Sequence, residues 1–232
     1  MSDPQEWNLE VDVDAVLRGQ GADAKTIRRR NRFLVELARR ALKEGLPLVK
    51  PRVYRRSVMI TEHFHERIHL ADGHLLTGSL LANHLAPAEK IVAILCTIGS
   101  ELEQYAAQVW EHDMPYSLAL DGLGSAATEA LANAACAQTE TDAKADGMQA
   151  SIPLSPGMEG WPTGEGQMQI FTLWEQEELE IRLSPSGMML PRKSLSMVIG
   201  IGKDMVSGGN ACEYCSMRAK CHYQDHYPKR PV

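Results

Sequence analysis

The chain has 232 residues, 44% of them apolar, which is enough for one large domain or two small ones around a buried core. Its formal charge of −6, from 24 basic and 30 acidic side chains, argues against a general nucleic-acid binder, because phosphate binding calls for a net basic surface. The opening MSDPQEWNLEVDVD has no apolar leader and no window is apolar for long enough to span a bilayer, so a cytoplasmic location and no membrane partner are expected.

Asp12 is placed to cap a short helix through Val16 and Leu17, which the glycines at 19 and 21 interrupt. Over residues 26–44, Ile27, Phe33, Leu34, Leu37, Ala38, Ala41 and Leu42 recur at three- and four-residue spacing and predict one long helix that Gly45 ends. Its other face carries Arg28, Arg29, Arg30, Arg32, Arg39, Arg40 and Lys43, which reads either as a solvated face or as a dock for an acidic partner protein. Pro47 and Pro51 mark a linker into strands at 53–60 and 67–76, the second folded at Asp72-Gly73 into a hairpin.

His63 and His65 have the spacing of a metal pair but no obvious third ligand, and read as surface residues. A short helix is expected at 79–85. The run KIVAILCT at 90–97 then suits a central strand buried on both faces, with Cys96 a core thiol. Ser100 and Glu103 form a capping-box pattern that opens a helix through Trp110, a strand–glycine–helix order that can bind an anion or simply connect. A second long helix is expected at 117–145, with Leu118, Leu120, Leu123, Ala126, Ala127, Leu131, Ala134 and Ala135 buried. Its small residues Gly122, Gly124, Ser125, Ala126 and Ala127 invite close approach by a ligand or by the sheet.

After a strand at 148–152, residues 155–202 pack the corners Ser155-Pro156-Gly157, Ser184-Pro185 and Leu190-Pro191 around a short helix and a terminal apolar strand. Residues 1–205 read as one α+β domain with a twisted, largely antiparallel sheet and helices on one face; residues 206–232 read as a cysteine-rich tail. In that tail Cys212, Cys215 and Cys221 place three thiols within one short stretch, a pattern for a metal or redox site. A fourth ligand would come from His222, His226, Cys96, Cys136, a partner's residue or an open iron position. Arg218, Lys220, Lys229 and Arg230 would offset thiolate charge.

Taken together these motifs resemble the reactivation domain of cobalamin-dependent methionine synthase, particularly its short stand-alone relatives. VDVDAVLRGQGAD resembles the family's opening, LCTIGSELE its strand-to-helix turn, LDGLGSAATEALANA its small-residue helix, and SPGMEGWP with MLPRKSLSMVIGIG its two signature loops. The trailing CxxC with a further cysteine is also common among those relatives. The resemblance covers nearly the whole chain and implies a helmet-shaped α+β fold whose concave face meets a corrinoid. In methionine synthase the domain presents the methyl group of S-adenosylmethionine to an oxidised cobalamin on another module, while an external donor supplies an electron.

On this resemblance the cofactor-facing residues are Ser155, Pro156, Gly157, Met158, Trp161, Met188, Met189 and Pro191; the metal ligands are Cys212, Cys215 and Cys221, holding an iron–sulfur cluster or zinc. The four soft or aromatic side chains among them, Met158, Trp161, Met188 and Met189, either face a corrinoid or partner, or serve as packing. The chain departs from the family where an arginine and two tyrosines are expected: Pro153, Met158 and Gly187 stand there. The arginine is the expected partner of the S-adenosylmethionine carboxylate, so its absence counts against that ligand. The leading expectation is an accessory factor that binds a corrinoid protein or methyltransferase and, with an electron donor, supports its reductive reactivation. The alternatives are a reductive methylation domain and a non-catalytic binding module with a zinc-stapled tail.

Overall fold

A computed structural model describes residues 7–205, 211–215 and 218–220. Three helices come first, and each starts on a side chain that satisfies an otherwise orphaned backbone N–H. In α1 (Val13–Gly19) Asp12 accepts the Ala15 N–H at 2.7 Å; in α2 (Ala24–Arg30) Asp23 accepts from Lys25 at 2.9 Å; in α3 (Arg32–Gly45) Asn31 accepts from Leu34 at 3.3 Å. The last of these corrects the sequence reading of one helix over residues 26–44. Asn31 adopts φ −140°, ψ 84°, a non-helical conformation, because its amide caps the following helix instead of continuing the preceding one. The break also removes Phe33 from the expected apolar stripe and leaves it 60% exposed.

The sheet is built from β1 (Arg52–Phe64), β2 (Arg67–Leu70) and β3 (Leu75–Thr77), then β4 (Lys90–Thr97) after the short helix α4 (Ser79–Leu85). Next come α5 (Glu101–Trp110), α6 (Met114–Ala145), β5 (Gln149–Ala150) and α7 (Thr163–Thr172). The hairpin β6 (Arg182–Leu183) and β7 (Met189–Leu190) and the long strand β8 (Ser194–Gly202) follow. The main sheet runs β3-β2-β1-β4-β8-β5 with every pair antiparallel, as expected for the fold class. Central β4 sets Ile94 opposite Arg55 on one side and Met197 on the other, and Ile91, Ile94, Leu95 and Cys96 are fully buried.

Strand alternation divides the interior into two cores. Ile94, Cys96, Met197 and Ile199 face a layer made by α1, α3, α5 and α6, while Ile91, Ala93, Leu95 and Val198 face Leu80, Leu81 and Leu85 of α4, Ile170 of α7 and Trp161. Helices therefore cover both faces and not one, with the long ones on the first face. Two further expectations change at the level of single residues. Leu118 is 49% exposed instead of buried. Ser100 makes no capping bond, because Glu103, its intended partner, is drawn to Arg192, where it accepts from the backbone N–H at 3.0 Å and from Nε at 2.5 Å.

At Gly122 the small residues of α6 admit another helix. A Cβ on Gly122 would lie 2.6 Å from Gln20 Cγ and 2.7 Å from Val16 O, so α1 lies directly on the α6 backbone there. Gly124 receives the aliphatic stem of Lys193 in the same way.

Candidate functional site

The first loop, residues 153–162, is a tight double turn. Gly157 (φ 99°) and Gly160 (φ 82°) take left-handed conformations, and Gly157 N–H donates to Trp161 O at 2.8 Å while Trp161 N–H donates to Met158 O at 3.0 Å. Trp161 fixes the loop from beneath. Its ring is fully buried in the second core, and a Cβ on Gly166 would come within 2.9 Å of it. Its indole N–H donates to Gln169 Oε1 at 3.2 Å, an oxygen that also accepts the Thr77 N–H at 3.1 Å. One glutamine thus ties the loop, α7 and β3 together, and Trp161 supports the platform from inside instead of facing a ligand.

The cysteine segment lies against this loop. Residues 211–214 form a 3-10 turn in which Cys215 N–H donates to Cys212 O at 3.3 Å, so the two half-buried cysteines bracket a single turn. Cys215 pairs with Met158 in an isolated antiparallel bridge, and Glu159 N–H donates to Tyr214 O at 2.9 Å. The Tyr214 ring packs on the second core and meets the His84 ring edge-on, with centroids 4.5 Å apart. Burial pushes the His84 imidazole below its ordinary range and favours the neutral ring. Sequence spacing gave no signal for His84, which comes from α4, far away in the chain.

Cys96 and Cys136 are removed as fourth ligands. Both are buried in the first core, on the opposite face of the sheet from the first loop; burial pushes the Cys96 thiol up to about 12, and Cys136 Sγ lies 3.3 Å from Met197 Sδ. Among the described residues no group of three or more His, Cys, Asp or Glu side chains could hold a metal ion, which covers His63 and His65. Cys221, His222 and His226 lie outside the described residues, as do Lys229 and Arg230. What is described is a pair of cysteines on one turn, a donor set and spacing that suits two ligands of a zinc or iron–sulfur site.

The second loop turns at Gly187 (φ 77°), with the Met188 N–H donating to Ser184 Oγ at 3.0 Å. Met188 is 54% exposed, whereas Met189 packs on the second core, as Met158 does. After the cis Leu190–Pro191 peptide, Ser194 Oγ donates to Pro191 O at 2.7 Å, and the chain enters a cleft of about 400 Å³ between α5 and α6. Leu102, Ala106, Leu118, Leu120 and Trp110 form its apolar lining. Its polar end holds the Glu103–Arg192 pair and Lys193, whose Nζ is 2.8 Å from Asp121 and 2.9 Å from Ser125 Oγ. The strand-to-helix turn, the small-residue helix and the post-proline segment, separate motifs in the sequence, meet at this cleft.

No family model and no curated protein matches the chain. Among solved structures it is similar to the crystal structure of the MetH reactivation domain bound to AdoHcy, with a TM-score of 0.59 and 16% identity over 77% of this chain and 67% of that one. The fold is that of a MetH reactivation domain. At this identity the fold is what is shared, in agreement with the motif resemblance, and the roles of the loops and cysteines rest on the geometry above. No described helix is long and apolar enough to cross a membrane.

Proposed function

We propose that this protein is an accessory factor that docks on a corrinoid protein and supports its reductive reactivation in a methyltransferase system. The observation that carries the reading is the seating of the Cys212–Cys215 turn on the first loop, through the Met158–Cys215 bridge, within a reactivation-domain fold. Ser155, Pro156 and Gly157 shape the corner, Met158, Met188, Met189 and Pro191 supply a soft apolar face for the corrinoid, and Trp161 holds the loop from below. Cys212, Cys215 and Cys221 would hold an iron–sulfur cluster, which supplies one-electron reduction when bound. The loop brings the cysteine turn next to the face offered to the corrinoid, and His84 and Tyr214 keep that turn in place.

Protein purified without oxygen is expected to contain iron and acid-labile sulfide and to show the broad visible absorption of a cluster, all lost in Cys212→Ala and Cys215→Ala. Zinc in place of iron contradicts this and leaves a corrinoid- or protein-binding module with a stapled tail.

A second reading has one specific observation in its favour: the similar MetH domain was solved with AdoHcy. In that reading the chain binds S-adenosylmethionine and performs a reductive methylation. Against it stand Pro153, Met158 and Gly187 in place of the expected arginine and tyrosines. Loss of one charged partner to the carboxylate weakens binding by about a hundredfold. Calorimetry decides between them, since the second reading requires heat on titration with S-adenosylmethionine and the first requires none.

A further inference from the structure

We propose that the surface at the α2–α3 junction, made by Arg29, Arg30, Arg32 and Phe33, docks an acidic protein partner that offers an apolar socket for the phenyl ring. The proposal stands apart from the reactivation role and rests on two independent features of the junction. The first is unspent charge. Arg28 pairs with Asp14, Arg39 with Glu36, and Arg40 with Glu44 and Asp113, but Arg29, Arg30 and Arg32 make no ion pair among the described residues.

Helix polarity adds to this. Arg32 opens α3 at its electropositive end, the first turn of α3 contains no acidic residue, and the arrangement is the reverse of what an isolated helix prefers. Carboxylates from outside the chain would satisfy both the arginines and the helix end. The second feature is Phe33, which follows Arg32 directly and which the Asn31 break turns out of the core to 60% exposure. Exposed aromatic and arginine side chains on one short stretch are the usual composition of an interface anchor, with the ring supplying buried area and the charges supplying steering. The exposed phenyl ring calls for an apolar socket beside the carboxylates, which a folded protein surface offers, so the partner is an acidic protein and not a nucleic acid.

The test uses the full chain and a fluorescein-labelled amphipathic helical peptide with a glutamate face and a leucine stripe, followed by fluorescence anisotropy. Wild type is expected to bind it with an affinity that falls as salt rises. The triple change Arg29→Glu, Arg30→Glu, Arg32→Glu should weaken binding at least about tenfold, and Phe33→Ser should weaken it by a similar factor while keeping the salt dependence. Lys43→Glu, on the same helix but away from the junction, should change it little. Because the four side chains are exposed, circular dichroism should show all variants folded. Absence of peptide binding overturns the proposal, as does equal binding by every variant or tighter binding of a single-stranded RNA oligonucleotide. Self-association of wild type that these substitutions abolish also overturns it, by assigning the surface to a second copy.

Discussion

Trp161 and Met188, for each of which the sequence leaves both a ligand-facing and a packing role open, divide in the structure: one is fully buried and the other 54% exposed. Trp161→Ala should therefore lower stability to urea by about 3–5 kcal/mol, the cost of emptying a packed aromatic site. Met188→Ala should stay within about 0.5 kcal/mol of wild type and weaken only corrinoid docking. Glu44 makes a prediction about pH. Its carboxylate accepts the Tyr116 hydroxyl at 2.7 Å and Arg40 Nε at 3.2 Å, and these contacts, the tyrosine first, hold its pKa below the ordinary glutamate value. A depressed folded pKa stabilises the protein above the unfolded value, and that contribution is lost as pH falls through the folded one. Thermal unfolding of Glu44→Gln should accordingly depend less on pH than wild type on the acid side of the glutamate range, with the two curves parallel near neutrality.

At the scale of elements, α1 lies directly on the α6 backbone at Gly122. Gly122→Ala should cost roughly 1–3 kcal/mol, read as a lower urea midpoint, because the new methyl meets Val16 O and Gln20 and neither helix can move without disturbing the first core. Such contacts show how far the sequence could be read. Elements with strong local signals appear at their expected places: Lys90–Thr97 is the central strand, Ser79–Leu85 is α4, and Asp72-Gly73 turns the hairpin. The failures share one physical cause, competition from a distant partner or a neighbouring cap. Asn31 split a periodic helix by capping the next one, and Arg192 took Glu103 from Ser100. At the site, the corners at Ser155 and Pro191 were legible. The seating of Cys215 on Met158, the part played by His84 and the core position of Trp161 depend on tertiary packing that no local pattern encodes.

For the whole molecule, one antiparallel sheet separates two kinds of surface. Its first face, covered by long helices, holds the α5–α6 cleft and the arginine-rich junction; its second holds the loops, with the cysteine turn bound to them. This arrangement places the Cys212–Cys215 turn beside the loops at Met158, as the proposed reactivation role requires. The Tyr214–His84 contact should then matter to function more than to stability. His84→Ala is expected to slow reactivation while changing the melting temperature by only a few degrees, about what 1 kcal/mol represents for a chain of this size. The most direct test mixes dithionite-reduced protein, freed of excess reductant, with cob(II)alamin on the cobalamin-binding module of a methionine synthase and follows absorbance without oxygen. Electron transfer from the cysteine segment should remove the cob(II)alamin band with growth of cob(I)alamin, and Cys215→Ala should largely abolish this; an unchanged spectrum with wild type, or equal reduction by the variant, would contradict the proposed role.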